Sequence, residues 1–405
     1  MSFAAALGRR AAGPALFGSR LLVLAAGAGG VLVSARLVPR FTPPGFNSGM
    51  GGVWNVLLGS GVRWDGPYYI DIAQHGYSAG TLARPVFFPL YPLLIRLAHY
   101  AVGSYAAAAV LVSLASLAGA LVLLERLTAI ELGPSAARAT VLLVAFAPLS
   151  FFFSAAYAES LFLLLSVGSV LAARRDRWAL AGGLAALATL TRITGVLLVI
   201  PLVIMQLRVT GWPRSWRSSR PVPWALGWVL FPLVALSGYL AALAASGWGW
   251  LAPFAGESLW HRATAGPVMT LAVALQTAWR SAGELIGGMH PVWHPAAVGV
   301  LSPEAESILL LGVLVGAGWA LWECRRRLGL EYTLYALAAL IVCTASTFRG
   351  QPLLSLDRFV LTIFPLWMAA GAWVARRKLT AYVVPVGAVA LVVYAFWFAR
   401  WSFIA

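Results

Sequence analysis

The sequence predicts an all-α polytopic membrane protein with about eleven transmembrane helices. The chain of 405 residues is 61% hydrophobic and only 10% charged, and its mean hydropathy is +0.84. Apolar runs of about 18 or more residues recur along it, and each can cross roughly 30 Å of hydrocarbon as a helix. The runs are continuously apolar, whereas a transmembrane barrel alternates apolar and polar residues over about ten positions.

The predicted helices occupy most of the chain, which we treat as one integral membrane domain over residues 1–405. They lie near 19–38, 105–124, 139–154, 157–173, 178–191, 195–209, 223–246, 305–323, 329–346, 358–375 and 380–400. The first run has no A-x-A-like cleavage site beyond it, so we expect an uncleaved helix rather than a signal peptide. Two long loops, near 39–104 and 247–304, interrupt the series.

Basic residues mark one side of this membrane protein. The chain has 29 Lys and Arg against 13 Asp and Glu, a formal net charge of +16. Most of the basic residues fall in short loops on one side: Arg9, Arg10, Arg20, Arg126, Arg138, Arg174, Arg175, Arg177, Arg208, Arg214, Arg217, Arg220, Arg325, Arg326, Arg327, Arg376, Arg377 and Lys378. The positive-inside rule makes that side cytoplasmic. Scattered clusters of this kind also argue against the continuous basic face of a nucleic-acid-binding protein.

The two long loops then face the extracytoplasmic side. Abundant Ala, Gly and Arg, with Lys378 as the sole lysine, are typical of a GC-rich bacterial genome. We therefore expect a multi-pass protein of the bacterial plasma membrane, with its chemistry on the extracytoplasmic side.

The first long loop concentrates polar residues in a chain that is otherwise apolar. The segment 63–97 holds two carboxylates, a histidine, arginines and many aromatic residues, and ionisable groups beside a bilayer are costly and usually functional. Gly66 and Pro67 predict the start of a short helix, and Gly76 predicts its end. Asp65 then lies at the N-terminus of that helix, where free N–H groups favour a carboxylate or a phosphate.

Asp71 and His75 are four residues apart and therefore share a face of the predicted helix. Asp65 and Asp71 are six apart, which places them about 120° apart around the helix axis, so they need not share a substrate. Two interpretations stay open for each. Asp65 is either a functional group or only the helix cap, and Asp71 with His75 is either part of a site or an interfacial hydrogen-bonded pair.

The aromatic and basic residues of the loop also allow two interpretations. Trp64 and Tyr68 belong either to a substrate site or to an aromatic belt at the membrane surface. The segment 87–97 is amphipathic. Arg84 precedes this segment and Arg96 belongs to it. Each arginine either binds a lipid phosphate through bidentate hydrogen bonds or simply extends its charged end toward water.

Four blocks of the sequence resemble the PIG-V family, the GPI mannosyltransferase II group and its bacterial relatives. The blocks are WDGPYYIDIAQHGY at 64–77 followed by FFPLYPLL at 87–94, APLSFFFSAAYAESLF at 147–162, TRITG at 191–195, and DRFVLTIFPL at 357–366. They occur in the family's order, and the first two are specific to it. The loop 247–304 matches only loosely.

The resemblance implies a GT-C-type fold, a polytopic glycosyltransferase that takes sugar from a polyprenyl-phosphate donor. By that likeness Asp65 is the catalytic carboxylate. Asp71 is the alternative base, and we expect Trp64, Tyr68 and His75 to contact substrate. Four further residues carry over as probable site residues: Tyr157, Glu159, Arg192 and Arg358.

The topology provides separate support for one composite site. Asp65, Glu159, Arg192 and Arg358 all fall at the extracytoplasmic ends of predicted helices. Pairing of each charge with a residue nearby in the sequence would account for one or two of these positions. It is a poor explanation for all four. Glu159 has no basic neighbour in AAYAESLF, so local pairing explains it least well.

The expected reaction is glycosyl transfer with inversion, of a hexose with mannose favoured, to a lipid, glycan or protein acceptor. Asp65 would accept the proton of the attacking hydroxyl, and Arg84, Arg192 or Arg358 would stabilise the departing phosphate. The segment 151–153 would guide the prenyl chain. The sequence has no Asp-x-Asp pair, so we expect no tightly bound metal, although a divalent cation stays an open alternative.

The second loop is expected to form a lid over the acceptor. Its charged and histidine residues include Glu257, His261, Arg262, His290 and His294. Prolines at 291 and 295 argue against the two later histidines sharing a helix face as a zinc site. The alternative function is a transporter or flippase for a lipid-linked saccharide. That function would bury charges at mid-span and show internal symmetry, and the sequence indicates neither.

Overall fold

The protein is described by a computed structural model covering residues 11–37, 52–77, 84–210, 225–255, 262–288, 301–348 and 350–404. Within these residues the fold is a bundle of α-helices with one small β-ribbon. This agrees with the predicted all-α class.

The helices of the N-terminal half include three that lie within the first long loop. In chain order they are α1 (Ala12–Leu37), α2 (Gly52–Leu58), α3 (Gly66–His75), α4 (Leu90–Val102), α5 (Tyr105–Leu132), α6 (Pro134–Ala145), α7 (Glu159–Ala173), α8 (Trp178–Thr189) and α9 (Val199–Thr210).

The C-terminal half holds the remaining helices and the ribbon. They are α10 (Ala225–Val229), α11 (Phe231–Ala245), α12 (Ala252–Ala255), β1 (Arg262–Thr264), α13 (Pro267–Ile286), α14 (Pro303–Arg327), α15 (Leu330–Cys343), β2 (Ser346–Phe348), α16 (Leu356–Val360), α17 (Phe364–Arg376) and α18 (Thr380–Ala399). The strands β1 and β2 pair antiparallel, with Arg262 opposite Phe348. The ribbon therefore ties the second long loop to the segment that precedes α16.

Four of the described helices are long and apolar enough to cross a membrane alone: Ala12–Val33 within α1, α5, α14 and α18. Helices at the other predicted spans are shorter, for example 12 residues in α6 and 15 in α7, against about 20 for a full crossing. The predicted positions of apolar helices are therefore confirmed, while full crossing by length is confirmed for four.

Two of the predicted boundaries that are wrong involve Arg20. The first helix begins at Ala12, so Arg20 lies inside it instead of in a cytoplasmic loop. The predicted helix 139–154 ends at Ala145, and Ser150–Phe153 form a single 3₁₀ turn. Arg20 accounts for both differences. Its guanidinium donates to backbone carbonyl oxygens at the end of α6 and just beyond it. In a longer helix these oxygens would accept from backbone N–H groups of the helix itself.

The bundle is held together by lengthwise contacts between helices that are distant in sequence. α5 packs against α7, α18 packs against α1, and α17 packs against α6. At the last of these, a Cβ on Gly371 would lie 2.2 Å from Oγ1 of Thr140 and 2.7 Å from its backbone nitrogen. A glycine is required there because small residues let membrane helices approach closely.

Candidate active site

Asp65 stands at the start of α3, as the sequence predicts. Pro67 occupies the first turn of this helix, and Gly76 ends it with a φ of 70°. The carboxylate of Asp65 makes no capping hydrogen bond to the helix, so the interpretation of Asp65 as only a helix cap is wrong. Its Oδ2 instead accepts a hydrogen bond of 2.7 Å from Nη1 of Arg358.

The residues just before Asp65 fix the loop to the C-terminal end of the chain. Trp64 has a φ of 53°, a backbone conformation that is uncommon for residues other than glycine. Its indole Nε1 donates to the carbonyl of Ser402 at 3.1 Å, and its ring meets Phe403 edge to face. Arg63 donates to the carbonyl of Ala399. The predicted substrate contact Trp64 is thus also an anchor for the backbone of Asp65.

Tyr157 and Glu159 reach the same place from the segment between α6 and α7. The Tyr157 hydroxyl accepts from the backbone N–H of Asp65 at 3.1 Å and donates to the carbonyl of Arg63 at 3.3 Å. Glu159, in the first turn of α7, is 1% exposed. Both predicted residues are therefore adjacent to Asp65 or its partner.

Arg20 holds this segment in its non-helical shape. Its guanidinium donates to the carbonyl of Ala145 at 3.0 Å and to the carbonyl of Ser150 at 2.7 Å. It also donates to the hydroxyls of Ser150 and Ser154, both at 2.6 Å. The sequence analysis missed this role. A basic residue followed by seventeen mostly apolar residues of the same helix was the available signal.

Arg192 follows α8 and turns back toward α7. Its Nη1 donates to Oε1 of Glu159 at 2.6 Å, which supplies the basic partner that the sequence around Glu159 lacks. Gly195 makes this turn feasible, because a Cβ there would lie 2.3 Å from the backbone nitrogen of Thr189 and 2.4 Å from the carbonyl carbon of Ala188. The Gly of the TRITG block is therefore a packing requirement for the position of Arg192.

Arg358, on the short helix α16, joins the two carboxylates. It binds Asp65, and its Nε lies 3.5 Å from Oε1 of Glu159. Burial by itself would lower the pKa of Arg358, but the carboxylates of Asp65 and Glu159 outweigh burial and raise it. The guanidinium therefore stays charged, and the four blocks predicted to form one site do meet.

Arg262 is an additional basic residue at this centre. The guanidinium carbons of Arg192, Arg358 and Arg262 lie 5.2, 5.3 and 5.5 Å from the centre of the Phe359 ring. Its Nη2 also donates to the carbonyl of Leu354 at 3.3 Å. The sequence analysis placed Arg262 in the lid, because only the pairing of β1 with β2 brings it here. Three arginines thus lie around one phenylalanine ring, and two of them, Arg192 and Arg358, contact the carboxylates of Glu159 and Asp65.

Asp71 has different partners from Asp65. Its Oδ1 lies 2.9 Å from Nδ1 of His75, one turn later on α3, and its Oδ2 accepts from Arg84 at 2.7 Å. The predicted shared face of Asp71 and His75 is confirmed. The Asp71 carboxylate is thus held by His75 and Arg84, and a catalytic role for Asp71 or a phosphate-binding role for Arg84 stays a prediction.

The other predicted site residues lie around α3 and α4. The ring of Tyr68 stacks on Phe87 with 5.1 Å between ring centres and 11° between planes. Arg96 is exposed on the surface of α4, where either lipid phosphate binding or solvation fits. The segment 151–153 is at most 2% exposed, and its expected contact with the prenyl chain stays a prediction. Phe152 lies beside the charged centre, with the guanidinium carbon of Arg358 5.6 Å from its ring centre.

The expectation of no tightly bound metal and the alternative of a divalent cation both stay predictions. Among the described residues, no group of three or more His, Cys, Asp or Glu could hold a metal ion. Four residues of the predicted lid lie outside the described residues: Glu257, His261, His290 and His294.

Part of the chain matches a known protein family. Residues 33–211 match the family model described as Mannosyltransferase (PIG-V). No curated protein sequence matches the chain. The matched residues contain Asp65, Glu159 and Arg192, and Arg358 lies beyond them.

Two solved structures share a distant likeness with the chain. One is the Archaeoglobus fulgidus oligosaccharyltransferase with a tethered acceptor peptide, at a TM-score of 0.43 and 15% identity, covering 95% of this chain and 55% of that chain. The other is ArnT from Cupriavidus metallidurans bound to undecaprenyl phosphate, at a TM-score of 0.39 and 18% identity, covering 85% and 74%. The chain spans about half the length of the oligosaccharyltransferase. Over residues 33–211 the chain is thus similar to the mannosyltransferase (PIG-V) family.

Proposed function

We propose that this protein is a GT-C-type glycosyltransferase that moves a hexose, with mannose favoured, from a polyprenyl-phosphate donor to an acceptor hydroxyl at the extracytoplasmic face of the bacterial plasma membrane. The observation that carries the proposal is the contact between Asp65 and Arg358, which are 293 positions apart. It joins the family-matched region to the C-terminal half. A carboxylate and guanidinium groups at one centre are the groups that this reaction needs.

Asp65 is the general base in this proposal. Its side chain is 25% exposed, so an acceptor hydroxyl can reach it, and its Oδ1 has no hydrogen bond to the described residues. The acceptor oxygen attacks the anomeric carbon while its proton passes to Asp65. The bond from that carbon to the phosphate oxygen breaks, and its electron pair leaves on the phosphate. Attack from the face opposite the leaving group inverts the anomeric centre.

The arginines bind the donor phosphate. Arg192 and Arg358 are each partly exposed, at 17% and 15% of the side chain, and Arg262 lies around the same phenylalanine ring. Arginine recognises phosphate through paired N–H groups. The phosphate gains negative charge as the bond to the sugar breaks, so fixed guanidinium groups stabilise the transition state more than the bound donor.

Donor binding also releases the base. In the structure Arg358 occupies Oδ2 of Asp65, and a donor phosphate competes for the same N–H group. As Arg358 turns toward the phosphate, the Asp65 carboxylate becomes available to the acceptor. Glu159 keeps Arg192 in place during this exchange. Its Oε2 is buried and makes no hydrogen bond to the described residues.

The test is transfer from radiolabelled polyprenyl-phosphate-mannose into lipid, glycan and protein fractions of membranes. Asp65→Asn removes the base and is expected to lower the rate by a factor of about 10² to 10⁴, the typical contribution of general base catalysis. Asp71→Asn makes the same chemical change on the same helix and is the matched control, expected to keep most of the activity.

Equal expression of both variants in the membrane is checked first, because loss of protein would imitate loss of catalysis. Loss of transfer with Asp71→Asn alone would move the base to Asp71. Full transfer with both variants would contradict the proposed chemistry and favour transport of a lipid-linked saccharide.

A further inference from the structure

A groove of about 420 Å³ lies between the last turns of α14 and α17. Both helices contribute its walls. The residues that line it are Trp319, Trp322, Glu323, Arg326, Arg327, Trp373, Arg376 and Arg377. Trp319 of α14 meets Trp373 of α17 edge to face, with 5.1 Å between ring centres, so the two helices form one continuous aromatic floor.

The groove carries a net positive charge. Glu323 forms ion pairs with Arg327 and, at 3.7 Å, with Arg326. Arg376 and Arg377 are exposed and form no ion pair with a carboxylate in the described part of the chain. Four arginines therefore face one carboxylate. The guanidinium of Arg377 lies 5.8 Å from the centre of the Trp373 ring, so an aromatic face helps to orient it.

Two other arginines at this end of the bundle are neutralised by carboxylates. Arg174 donates to Glu131 at 2.5 Å, and Arg208 lies 2.7 Å from Glu331, whose side chain is fully buried. Membrane topology requires only that basic residues accumulate on one side. It does not require that they line a cavity with tryptophan walls, as they do here.

The groove is separate from the candidate active site. Glu306, near the start of α14, accepts from Gln351 at 2.7 Å in the segment that leads to Arg358. Glu323 is 17 residues further along the same helix, about 26 Å away at 1.5 Å per residue. A ligand in the groove therefore cannot touch the residues around Asp65.

We propose that this groove binds the head group of an anionic phospholipid. Arg376 and Arg377 donate to the phosphate, and the indole rings contact the glycerol backbone and the first methylene groups. Basic pockets between transmembrane helices on the cytoplasmic side are the usual sites for anionic lipid head groups, and tryptophan favours the same depth.

The test counts lipids on the full-length protein in neutral detergent by native mass spectrometry. Phosphatidylglycerol and phosphatidylcholine with the same acyl chains are titrated separately. We expect one phosphatidylglycerol to bind per chain, at a concentration about tenfold or more below that needed for phosphatidylcholine, as one charge-assisted hydrogen bond would give.

The double variant Arg376→Gln/Arg377→Gln is expected to remove this preference. The matched control is Arg325→Gln/Lys378→Gln, which removes two exposed positive charges from the same helix ends but none from the groove. It is expected to bind phosphatidylglycerol like the wild type. All four positions are exposed, so folding should be preserved, and equal melting temperatures verify it.

Three outcomes would overturn the proposal. The wild type could show no preference for the anionic lipid, or both double variants could lose it equally, which would indicate a general effect of charge. Free glycerol 3-phosphate could also displace the lipid at equal concentration, which would make the groove a site for a soluble phosphate. None of these measurements depends on glycosyl transfer.

Discussion

Arg358 shows why the type of charged residue matters at this site. Its guanidinium faces Asp65 through Nη1 and Glu159 through Nε, while its flat surface lies within 5.6 Å of the Phe152 ring centre and 5.5 Å of the Tyr157 ring centre. A lysine offers a single ammonium group and cannot present a planar fork to two partners. The geometry is therefore specific for arginine.

Arg358→Lys is expected to lower glycosyl transfer by about two orders of magnitude, because one preorganised donor to the leaving phosphate is lost. The charge is kept, so folding should be nearly unchanged. The measurement is the transfer rate at saturating and at low donor. Arg138→Lys, at an exposed position on α6, is the control, and activity equal to it would contradict the phosphate-binding role of Arg358.

Asp357, beside Arg358, predicts a pH dependence of stability. Burial raises the pKa of this carboxyl to about 6, although the backbone N–H of Arg358 and its charge oppose the change. The folded protein then holds a proton up to about pH 6 that the unfolded chain releases near its ordinary value of about 3.9. Between these values the folded state binds more protons, so its stability falls as pH rises.

Asp357→Asn should remove this contribution. The measurement is the melting temperature of both proteins in detergent between about pH 4 and about pH 7. The wild type is expected to lose stability relative to Asp357→Asn as pH rises to about 6, and to show a constant difference above it. A difference that does not change with pH would mean that Asp357 is not buried in this way.

At the scale of the elements, short non-helical segments position the charged residues. Glu159, Arg192 and Arg358 each lie at the start of a helix or in the turn that precedes one. Backbone that leaves the helix inside a membrane must find partners in the protein. Arg20 provides them for the segment before Glu159, and close packing of Gly195 on the end of α8 fixes the turn at Arg192.

Gly195→Ala tests whether the close packing of Gly195 on the end of α8 fixes the turn at Arg192. The added Cβ would overlap backbone atoms at 2.3 and 2.4 Å, which cannot be relieved by a side-chain rotation. We expect a loss of about 1–3 kcal/mol in stability, as for other overpacked sites, together with reduced transfer because Arg192 is displaced.

Gly183→Ala is the control for this substitution. Gly183 lies in α8, and a Cβ there meets nothing within 4 Å. A helical Gly→Ala change in open space should stabilise by about 0.5–1 kcal/mol. The measurements are thermal unfolding and glycosyl transfer of both variants. Similar behaviour of the two would show that the close approach at Gly195 is not needed.

At the scale of the whole molecule, the two ends of the bundle differ in how their charges are used. At one end, carboxylates and arginines from distant segments meet around Asp65. At the other end, arginines follow α14 and α17 and line the lipid groove. This asymmetry underlies the predicted orientation, with the Asp65 end extracytoplasmic.

Cysteine labelling tests the orientation. Cys324 and Cys343 are free and are first replaced by alanine. His75→Cys, at a side chain that is 61% exposed, should react with a membrane-impermeant maleimide in intact spheroplasts. Lys378→Cys, exposed at the other end, should react only after the membrane is opened. The reverse pattern would place the proposed active site in the cytoplasm.

What could be predicted from the sequence was local in origin. Continuous apolar runs fix the all-α membrane class because hydrophobicity is a property of the residues themselves. Pro67 and Gly76 fix the ends of α3 because their backbone preferences act within one turn. The motif blocks also identified the charged residues that meet at the site.

Only the tertiary structure decided how those charges pair. Nothing near Glu159 in the sequence predicts Arg192 and Arg358 as its partners, and Arg262 reaches the site only through a two-stranded ribbon. Arg20, whose place in the sequence resembles a topogenic charge, is inside a helix because oxygens 125 to 134 residues away bind it. These pairings follow from the packing of the helices. That packing depends on the sum of many weak contacts between residues far apart in the sequence, and no local sequence pattern reveals those contacts.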